Sequence, residues 1–154
     1  MRELRTDMFS IDFQPADAIC ITTNGVIRKD GRAVMGKGIA LEATKRFAFI
    51  ANDLGLYLRK YGNRPFNMGK RVDMLTNKSV NVITFPTKHD WHDRSDIELI
   101  RMSAIHLVNM ADKFKFGTIY LPRPGCANGG LSWGQLVKPT IAPILDDRFV
   151  VVSL

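Results

Sequence analysis

The feature that most limits the fold is a continuous apolar run near the start of the chain, Ala18 to Thr22. A strand with one face in water alternates polar and apolar residues. A run without this alternation is typical of a strand covered on both faces of a sheet. Covering both faces requires helices on either side of the sheet. The run therefore predicts a layered α/β fold.

The rest of the chain alternates short strand-like runs with longer helical segments. The other predicted strands are Arg2 to Phe9, Arg71 to Leu75, Val80 to Phe85, Thr118 to Leu121 and Phe149 to Val152. The predicted helices begin at Ile39, at Ser95 and at Trp133, and the last of them ends at Leu145.

Capping and turn residues predict where these elements end. Ser95, with Glu98 three residues later, forms a capping box at the start of the second helix, and Gly117 ends that helix. Four glycines between Asn24 and Gly38 predict a long loop. The Gly, Asn and Pro residues between Tyr61 and Lys70 predict an irregular segment.

Strands that alternate with helices predict a sheet that is mostly parallel in its centre. In such folds ligands bind beyond the carboxyl ends of the strands. Three candidate site segments follow predicted strands: the loop after Thr22, the loop after Phe85 and the loop after Leu121. We expect all three at one edge of the sheet.

Size and composition predict one ordinary globular domain, residues 1–154. No apolar run approaches the roughly 20 residues of a membrane span. The N-terminal segment Met-Arg-Glu-Leu-Arg-Thr-Asp lacks the apolar core of a signal peptide, which predicts a cytoplasmic protein that does not engage a membrane. Cys20 and Cys126 fit that compartment as reduced thiols.

The net charge of +7 at pH 7 favours polyanionic partners such as nucleic acid or phosphorylated ligands. The basic residues are spread along the chain without a run of five. A solvated, solubilising surface is the more ordinary explanation for any single cluster. The charge alone therefore leaves both interpretations open.

The loop from Gly125 to Trp133 contains three glycines within six residues. Without Cβ atoms, such a backbone can adopt positive φ and turn successive N–H groups toward one point, as strand-to-helix loops do around a phosphate. A glycine-rich turn closed by a buried Trp133 is the structural alternative. Glycine content does not decide between the two.

The segment from Gly31 to Gly38 nearly matches the P-loop of nucleoside triphosphatases. Gly38 stands where that motif needs a Ser or Thr to hold Mg²⁺, so the sequence argues against an NTPase. We interpret Gly36, Lys37 and Gly38 as a backbone cradle for a diphosphate at the start of a helix.

Three motifs together resemble the macro domain family. They are Met35-Gly36-Lys37-Gly38-Ile39-Ala40, then Phe85-Pro86-Thr87-Lys88 with Trp91 and Ser95, then Gly125-Cys126-Ala127-Asn128-Gly129-Gly130-Leu131 with Trp133. The sequence looks closest to the branch that contains the DarG antitoxins, which remove ADP-ribose from DNA, and the terminal ADP-ribose protein glycohydrolase. The resemblance implies a three-layer α/β/α sandwich with a mixed, centrally parallel sheet.

The resemblance also assigns expected roles to residues. Asp7, next to Met8, matches the family's adenine-binding Asp, and Asn24 matches an asparagine near the distal ribose. Lys88, next to Thr87, matches a lysine that acts on the anomeric carbon of that ribose. The expected phosphate-binding residues are Gly36, Lys37, Gly38 and Ile39 in the first loop and Gly125, Cys126, Ala127, Asn128, Gly129, Gly130 and Leu131 in the second.

Each assignment has a structural alternative. Asp7 suits a helix cap or a surface acid, Asn24 a turn with Gly25, and Lys88 a surface lysine. The motif His89-Asp90-Trp91-His92-Asp93 contains metal-ligand types, but we expect no metal because a structural Zn²⁺ site needs four convergent ligands. We interpret Trp91 as a lid or a stacking surface.

Two departures from the family concern its acids. Gly129 stands where the glycohydrolases have an Asp, and Ser132 stands where the DarG pattern has one. The sequence predicts an ADP-ribosyl glycohydrolase that needs no cofactor, acts as a monomer and binds ADP-ribose or ADP-ribosylated DNA or protein. The alternatives are a non-catalytic ADP-ribose-binding module and an ADP-ribose 1″-phosphate phosphatase.

Overall fold

The computed structural model describes all residues of the chain, 1–154. The strands are β1 (Arg2–Arg5), β2 (Ala18–Thr23), β3 (Phe66–Val72), β4 (Ser79–Pro86), β5 (Ile119–Pro122) and β6 (Phe149–Ser153). The helices are α1 (Gly38–Arg46), α2 (Ile50–Tyr61), α3 (Ile97–Phe114) and α4 (Lys138–Ile141), with a 3₁₀ turn at Met8–Ser10 and a π-helical turn at Trp133–Val137. No helix is long and apolar enough to cross a membrane.

The six strands form one mixed sheet in the order β1-β6-β5-β2-β4-β3. Every neighbouring pair is parallel except β3 with β4, which is antiparallel at the edge. The predicted mixed, centrally parallel sheet is therefore confirmed. The five parallel strands all end at the same edge.

Helices cover both faces of the sheet, and β2 shows how the sequence specifies this. Ile19 and Ile21 point to one face, where they pack with buried residues of α1 and α2. Ala18 and Cys20 point to the other, where they pack with α3 and α4. Successive strand residues point to opposite faces, so a continuous apolar run supplies two cores at once. The three-layer sandwich follows from this arrangement.

The prediction for β3 was wrong. The strand runs from Phe66 to Val72, so the segment predicted to be irregular contains most of it, and the predicted Arg71–Leu75 strand is mostly turn. Phe66 and Met68 are buried, and the pairing with β4 shifts register between Asn67 and Lys70 around Gly69, whose φ is +81°. An edge strand tolerates such a bulge, and its glycine resembles a loop signal in the sequence.

The helical segment that begins near Ile39 is two helices. The break falls at Phe49, which has a left-handed backbone (φ 62°) at the start of α2. Phe47 and Ile50 are both buried, so the apolar spacing continues across the break and hides it from a pattern analysis. The long loop before α1 contains a short hairpin with a bridge between Ile27 and Ala33.

The cap of α3 differs from the prediction. Asp96 is the N-cap, and its Oδ1 accepts a hydrogen bond of 2.9 Å from the backbone N–H of Glu98. Ser95 is buried, its N–H donates to the carbonyl of Gly129, and its hydroxyl has no hydrogen-bond partner. The predicted Arg2–Phe9 strand ends at Arg5 and the 3₁₀ turn follows it. The predicted Trp133–Leu145 helix consists of the wider π-helical turn and then α4, which ends at Ile141.

Candidate functional site

Five loops converge at the carboxyl edge of the sheet. Asp7 follows β1, Asn24 follows β2, Lys88 follows β4, the glycine loop follows β5, and Ser153 ends β6. Four strand spacings of about 4.8 Å separate β1 from β4, so the row of loop starts is roughly 19 Å long. These loops form the walls of a two-lobed cleft, as the topology of parallel strands leads us to expect.

The lobe beside β2 and β4, here called the Lys88 lobe, has a volume of about 440 Å³. Its lining includes three cations, Lys37, Lys88 and Arg123, and no acidic side chain. All three candidate loops contribute to this lobe, which confirms that they share one end of the sheet. An all-positive lining favours an anionic ligand.

The other lobe, here called the β1 lobe, has a volume of about 700 Å³ and lies beside Asp7. More than half of its lining residues are hydrophobic, among them Phe9, Leu131 and Trp133. Asp7 Oδ1 accepts a hydrogen bond of 3.0 Å from Phe9 N–H, so this residue caps the 3₁₀ turn. Its second carboxylate oxygen forms no hydrogen bond within the chain, and Asp7 is among the residues that line this lobe.

Backbone N–H groups line the junction between the two lobes. α1 begins at Gly38 without a side-chain cap, so its first N–H groups have no intrahelical partner. In the second loop, the N–H groups of Ala127, Asn128 and Gly129 form no hydrogen bond within the chain. The two loops meet where Gly38 approaches Asn128. Such a concentration of free donors at a helix N-terminus is suited to a phosphate or diphosphate.

Tight packing under the second loop explains its glycines. Gly125 has φ +77°, and a Cβ there would lie 2.8 Å from Ile100 Cδ1. A Cβ on Gly129 would overlap Ser95 Oγ and lie 2.5 Å from the carbonyl oxygen of Gly125. The loop backbone therefore rests directly on the start of α3, and position 129 has no room for a carboxylate.

Lys88 lies at the end of the cleft, half-buried. Its Nζ donates to the carbonyl oxygens of Trp91 and Asn128, each at 3.3 Å, and it forms no salt bridge. Two hydrogen bonds fix the backbone around Lys88. Asn63 Nδ2 donates to the carbonyl of Lys88 at 2.9 Å, and Gly25 N–H donates to the carbonyl of His89 at 3.2 Å. The amine is therefore positioned by the backbone and remains without a neighbouring anion.

Asn24 lines the Lys88 lobe and also fixes the loop that follows it. Its Nδ2 donates to the carbonyl of Val34 at 3.0 Å, and its Oδ1 accepts from Val26 N–H at 3.0 Å. The second contact is an Asx-turn, so the structural alternative for Asn24 is present. One amide hydrogen of Asn24 has no partner in the chain and remains for a ligand.

The histidines after Lys88 pair with separate carboxylates. His89 Nε2 lies 2.8 Å from Asp96 Oδ2, and His92 Nδ1 lies 2.6 Å from Asp90 Oδ1. No group of three or more His, Cys, Asp or Glu side chains converges as metal ligands would. The His89 contact lowers the pKa of Asp96, as does the N–H of Glu98, so this cap is ionised at neutral pH.

Both cysteines are free thiols. Burial raises the pKa of Cys126, although the Arg123 guanidinium partly opposes that effect. Burial also raises the pKa of Cys20, in the centre of the sheet. Neither thiol is therefore a thiolate nucleophile at neutral pH. The side chains of the Lys88 lobe with a nitrogen that could act as a nucleophile are the amines of Lys37 and Lys88.

The comparisons with known proteins agree with this architecture. No protein-family model matches the chain. The macrodomain of Thermus aquaticus DarG superposes on 99% of the chain, with a TM-score of 0.74 and 25% identity, and 97% of that structure is covered. The chain has the macro domain fold.

Two further proteins resemble this chain. Thermosipho africanus DarTG in complex with ADP-ribose superposes on 89% of the chain, with a TM-score of 0.73 and 21% identity, over 38% of that structure. A DNA ADP-ribosyl glycohydrolase of Mycobacterium bovis is 29% identical over 112 residues, 71% of this chain and 31% of that protein. The chain spans about a third of the length of the curated relatives it matches.

The fold brings nearly all the predicted site residues to the cleft. Gly130 is the exception: it lines neither lobe, and its carbonyl accepts from Arg94 at 2.8 Å. Sequence reasoning missed Arg123, which lines both lobes and lies over the Trp133 ring at 5.2 Å. An arginine directly after a strand that enters a glycine loop is the signal that identifies it in the sequence.

Ser132 lies outside both lobes. It is the N-cap of the π-helical turn, where its hydroxyl accepts from Gln135 N–H at 3.2 Å. Ser and Asp serve almost equally well as N-caps. The replacement of the family's Asp by Ser132 therefore retains a capping residue and removes no acid from the cleft.

Proposed function

We propose that this macro domain binds ADP-ribose in the two-lobed cleft and releases it from modified DNA. One observation carries the proposal. The free N–H groups of two glycine loops lie between the β1 lobe, which contains Asp7 and a majority of hydrophobic residues, and the cationic lobe with Lys88. ADP-ribose has the same order of parts: a purine nucleoside, a diphosphate and a second ribose.

The proposed orientation follows from the chemistry of each part. The adenosine lies in the β1 lobe, where the free oxygen of Asp7 accepts from the adenine amino group. The diphosphate oxygens accept hydrogen bonds from the N–H groups at the start of α1 and in the second loop, and Arg123 neutralises part of the diphosphate charge. The distal ribose then lies in the Lys88 lobe.

Lys88 is the proposed catalytic residue. In its neutral form the amine attacks the anomeric carbon C1″, the bond from C1″ to the departing atom breaks, and the proton that the newly bonded nitrogen loses passes to that atom. Water then hydrolyses the lysine adduct and regenerates the amine with free ADP-ribose. The position of Lys88 Nζ supports this route, since it lies in the Lys88 lobe and no salt bridge holds it away from the ligand.

DNA is the proposed substrate for two reasons. The curated relatives from Mycobacterium and Thermus carry the name DNA ADP-ribosyl glycohydrolase. The net charge of +7 supports the same choice, since DNA is a polyanion.

A second candidate is a module that binds ADP-ribose without cleaving it. The observation in its favour is the lining of the Lys88 lobe, which lacks a carboxylate to protonate a leaving group. The two candidates share the binding site and differ only in turnover.

The test replaces Lys88 and measures binding and turnover separately. Lys88→Ala is expected to bind ADP-ribose within about threefold of wild type and to lose at least about 10³-fold in kcat, because it removes a covalent nucleophile. Lys88→Arg keeps the charge but not the nucleophile and is expected to be equally inactive. Lys113→Ala, an exposed lysine at the far end of α3, is the matched control.

Unchanged turnover by Lys88→Ala would exclude Lys88 from the chemistry. Full activity of Lys88→Arg would instead support an electrostatic role. Wild-type protein that binds ADP-ribose and releases none from any substrate would select the non-catalytic module.

A further inference from the structure

A second groove opens from the Lys88 lobe on the side away from the β1 lobe. It has a volume of about 600 Å³ and shares Val34, Met35, Gly36 and Trp91 with the lining of the Lys88 lobe. We call it the arginine groove, because Arg28 and Arg32 line it and no acidic side chain does. The groove therefore begins where the proposed scissile bond lies.

The groove exposes two aromatic side chains. Phe49 is 75% exposed and Trp91 is 51% exposed, and both line the groove. Phe49 keeps this position with a left-handed backbone, which is rare for a bulky residue and costs about 1 kcal/mol or more. The unusual backbone of Phe49 does not serve to bury its ring, since the ring is exposed to solvent.

A rigid hairpin holds the two arginines beside the groove. Arg28 N–H donates to the carbonyl of Arg32 at 2.7 Å, and Ala33 N–H donates to that of Ala51 in α2 at 2.8 Å. A Cβ on Gly55 of α2 would overlap the carbonyl oxygen of Gly31. The hairpin can therefore pack closely on α2 only because residue 55 is a glycine. The arginines thus project from a fixed platform.

Charge continues along the same path beyond the groove. A further depression of about 430 Å³ shares Asn52 with the groove and contains Lys29 and Arg59. Asp30 is the only acid along the path, and it pairs with both Arg28 and Arg32, at 3.4 and 2.7 Å. Four cations against one anion leave a net positive strip that leads away from the Lys88 lobe.

We propose that the arginine groove holds the single-stranded DNA next to the modified nucleotide. Its phosphates lie on Arg28 and Arg32, and unpaired bases stack on Trp91 and Phe49. Exposed aromatic rings beside cations bind single strands, because every unpaired base offers a face for stacking. A duplex has no free base faces. This inference rests on the proposed function, since it places the DNA by where the ADP-ribose ends.

The first test measures binding of an unmodified, dye-labelled oligonucleotide of about 12 nucleotides by anisotropy, which requires no catalysis. The double variant Arg28→Ala/Arg32→Ala is expected to bind at least fivefold more weakly. Its slope of log affinity against log salt should be shallower by about 1.4, because two phosphate contacts to a single strand are lost. Phe49→Ala should weaken binding at least fivefold without changing the slope, because stacking carries no counterion release.

Two further variants guard against loss of folding and nonspecific charge effects. Arg28→Lys/Arg32→Lys keeps both charges and should retain the salt slope. Lys113→Ala removes a cation far from the groove and should bind as wild type does. Equal binding by wild type and Arg28→Ala/Arg32→Ala, or stronger binding to duplex than to single strand, would overturn the proposal.

The second test separates this proposal from the proposed function. Arg28→Ala/Arg32→Ala should lower kcat/KM about tenfold on an ADP-ribosylated oligonucleotide and leave it unchanged on an ADP-ribosylated nucleoside without flanking nucleotides. An equal loss on both substrates, or a loss only on ADP-ribosylated protein, would contradict a DNA groove. Absence of release from every substrate would reject the proposed function, and the anisotropy test would still decide the groove.

Discussion

Gly129 lacks the carboxylate that related glycohydrolases have, and the packing around it explains why a glycine stands there. The glycohydrolases that the sequence resembles have an Asp at this position, but the Cβ direction of Gly129 is filled by Ser95 Oγ and the Gly125 carbonyl. Gly129→Asp is therefore expected to lower the free energy of unfolding by about 1–3 kcal/mol, the usual cost of overpacking. It should also weaken ADP-ribose binding at least tenfold, because the loop must move.

Gly134→Ala is the matched control, since a Cβ there meets nothing within 4 Å. Urea unfolding and calorimetric ADP-ribose titration check both variants. A stable Gly129→Asp variant with faster ADP-ribose release would show instead that the loop accepts the acid and that the glycine limits activity.

At the residue scale, the sequence predicted site residues correctly where a residue type has few structural roles. Two glycine-rich motifs and a lysine motif, through their resemblance to the macro domain family, predicted most of the residues that line the cleft. Arg123 and Ser95 were not identified as site residues, because their contribution depends on packing between loops that are distant in sequence. For Asn24 the sequence offered a structural role and a ligand-binding role as alternatives. In the structure its amide both fixes the following loop and lines the Lys88 lobe.

The start of α3 shows the same limit at the scale of an element. The sequence pattern Ser95-x-x-Glu98 predicted a capping box, but the tertiary contact with Gly129 turns Ser95 inward and transfers the cap to Asp96. Local patterns specify that a helix begins here. Which of two adjacent polar residues caps it depends on the loop that packs above.

A pair of variants tests this assignment. Asp96→Ala is expected to lower the free energy of unfolding by about 1 kcal/mol at pH 7, because an N-cap is lost. Ser95→Ala is expected to be neutral or slightly stabilising, because it removes a buried hydroxyl without a partner. Urea unfolding measures both, and a larger loss for Ser95→Ala would contradict the assignment.

The Asp96 effect should depend on pH in a defined direction. Its pKa is lowered in the folded state, first by His89 and then by the Glu98 N–H, so its contribution is complete above the ordinary Asp value of about 3.9. The contribution is lost as the pH falls through the lower folded value. The stability difference between wild type and Asp96→Ala should therefore shrink below about pH 4, and a difference that grows on acidification would contradict this sign.

For the molecule as a whole, the order of the strands in the sheet determines the order of the site loops along the cleft. The chain order of the strands is β1 to β6, but their spatial order puts β1 and β4 at opposite ends of the parallel set with β5 between them. Sequence patterns predicted the layers and the parallel centre. They did not predict this order, because it depends on which nonlocal pairings bury most apolar surface. The edge strand β3 was missed for a related reason, since its bulge resembles a loop.

The most direct measurement of the central claim is release of free ADP-ribose by the wild-type domain from two substrates side by side. One is a single-stranded oligonucleotide that carries ADP-ribose on a base, and the other is an ADP-ribosylated protein, both at equal enzyme concentration. We expect release from the oligonucleotide at least tenfold faster than from the protein, and none from either with Lys88→Ala. Equal or faster release from the protein would contradict DNA as the substrate, and no release from either, with ADP-ribose still bound, would contradict catalysis.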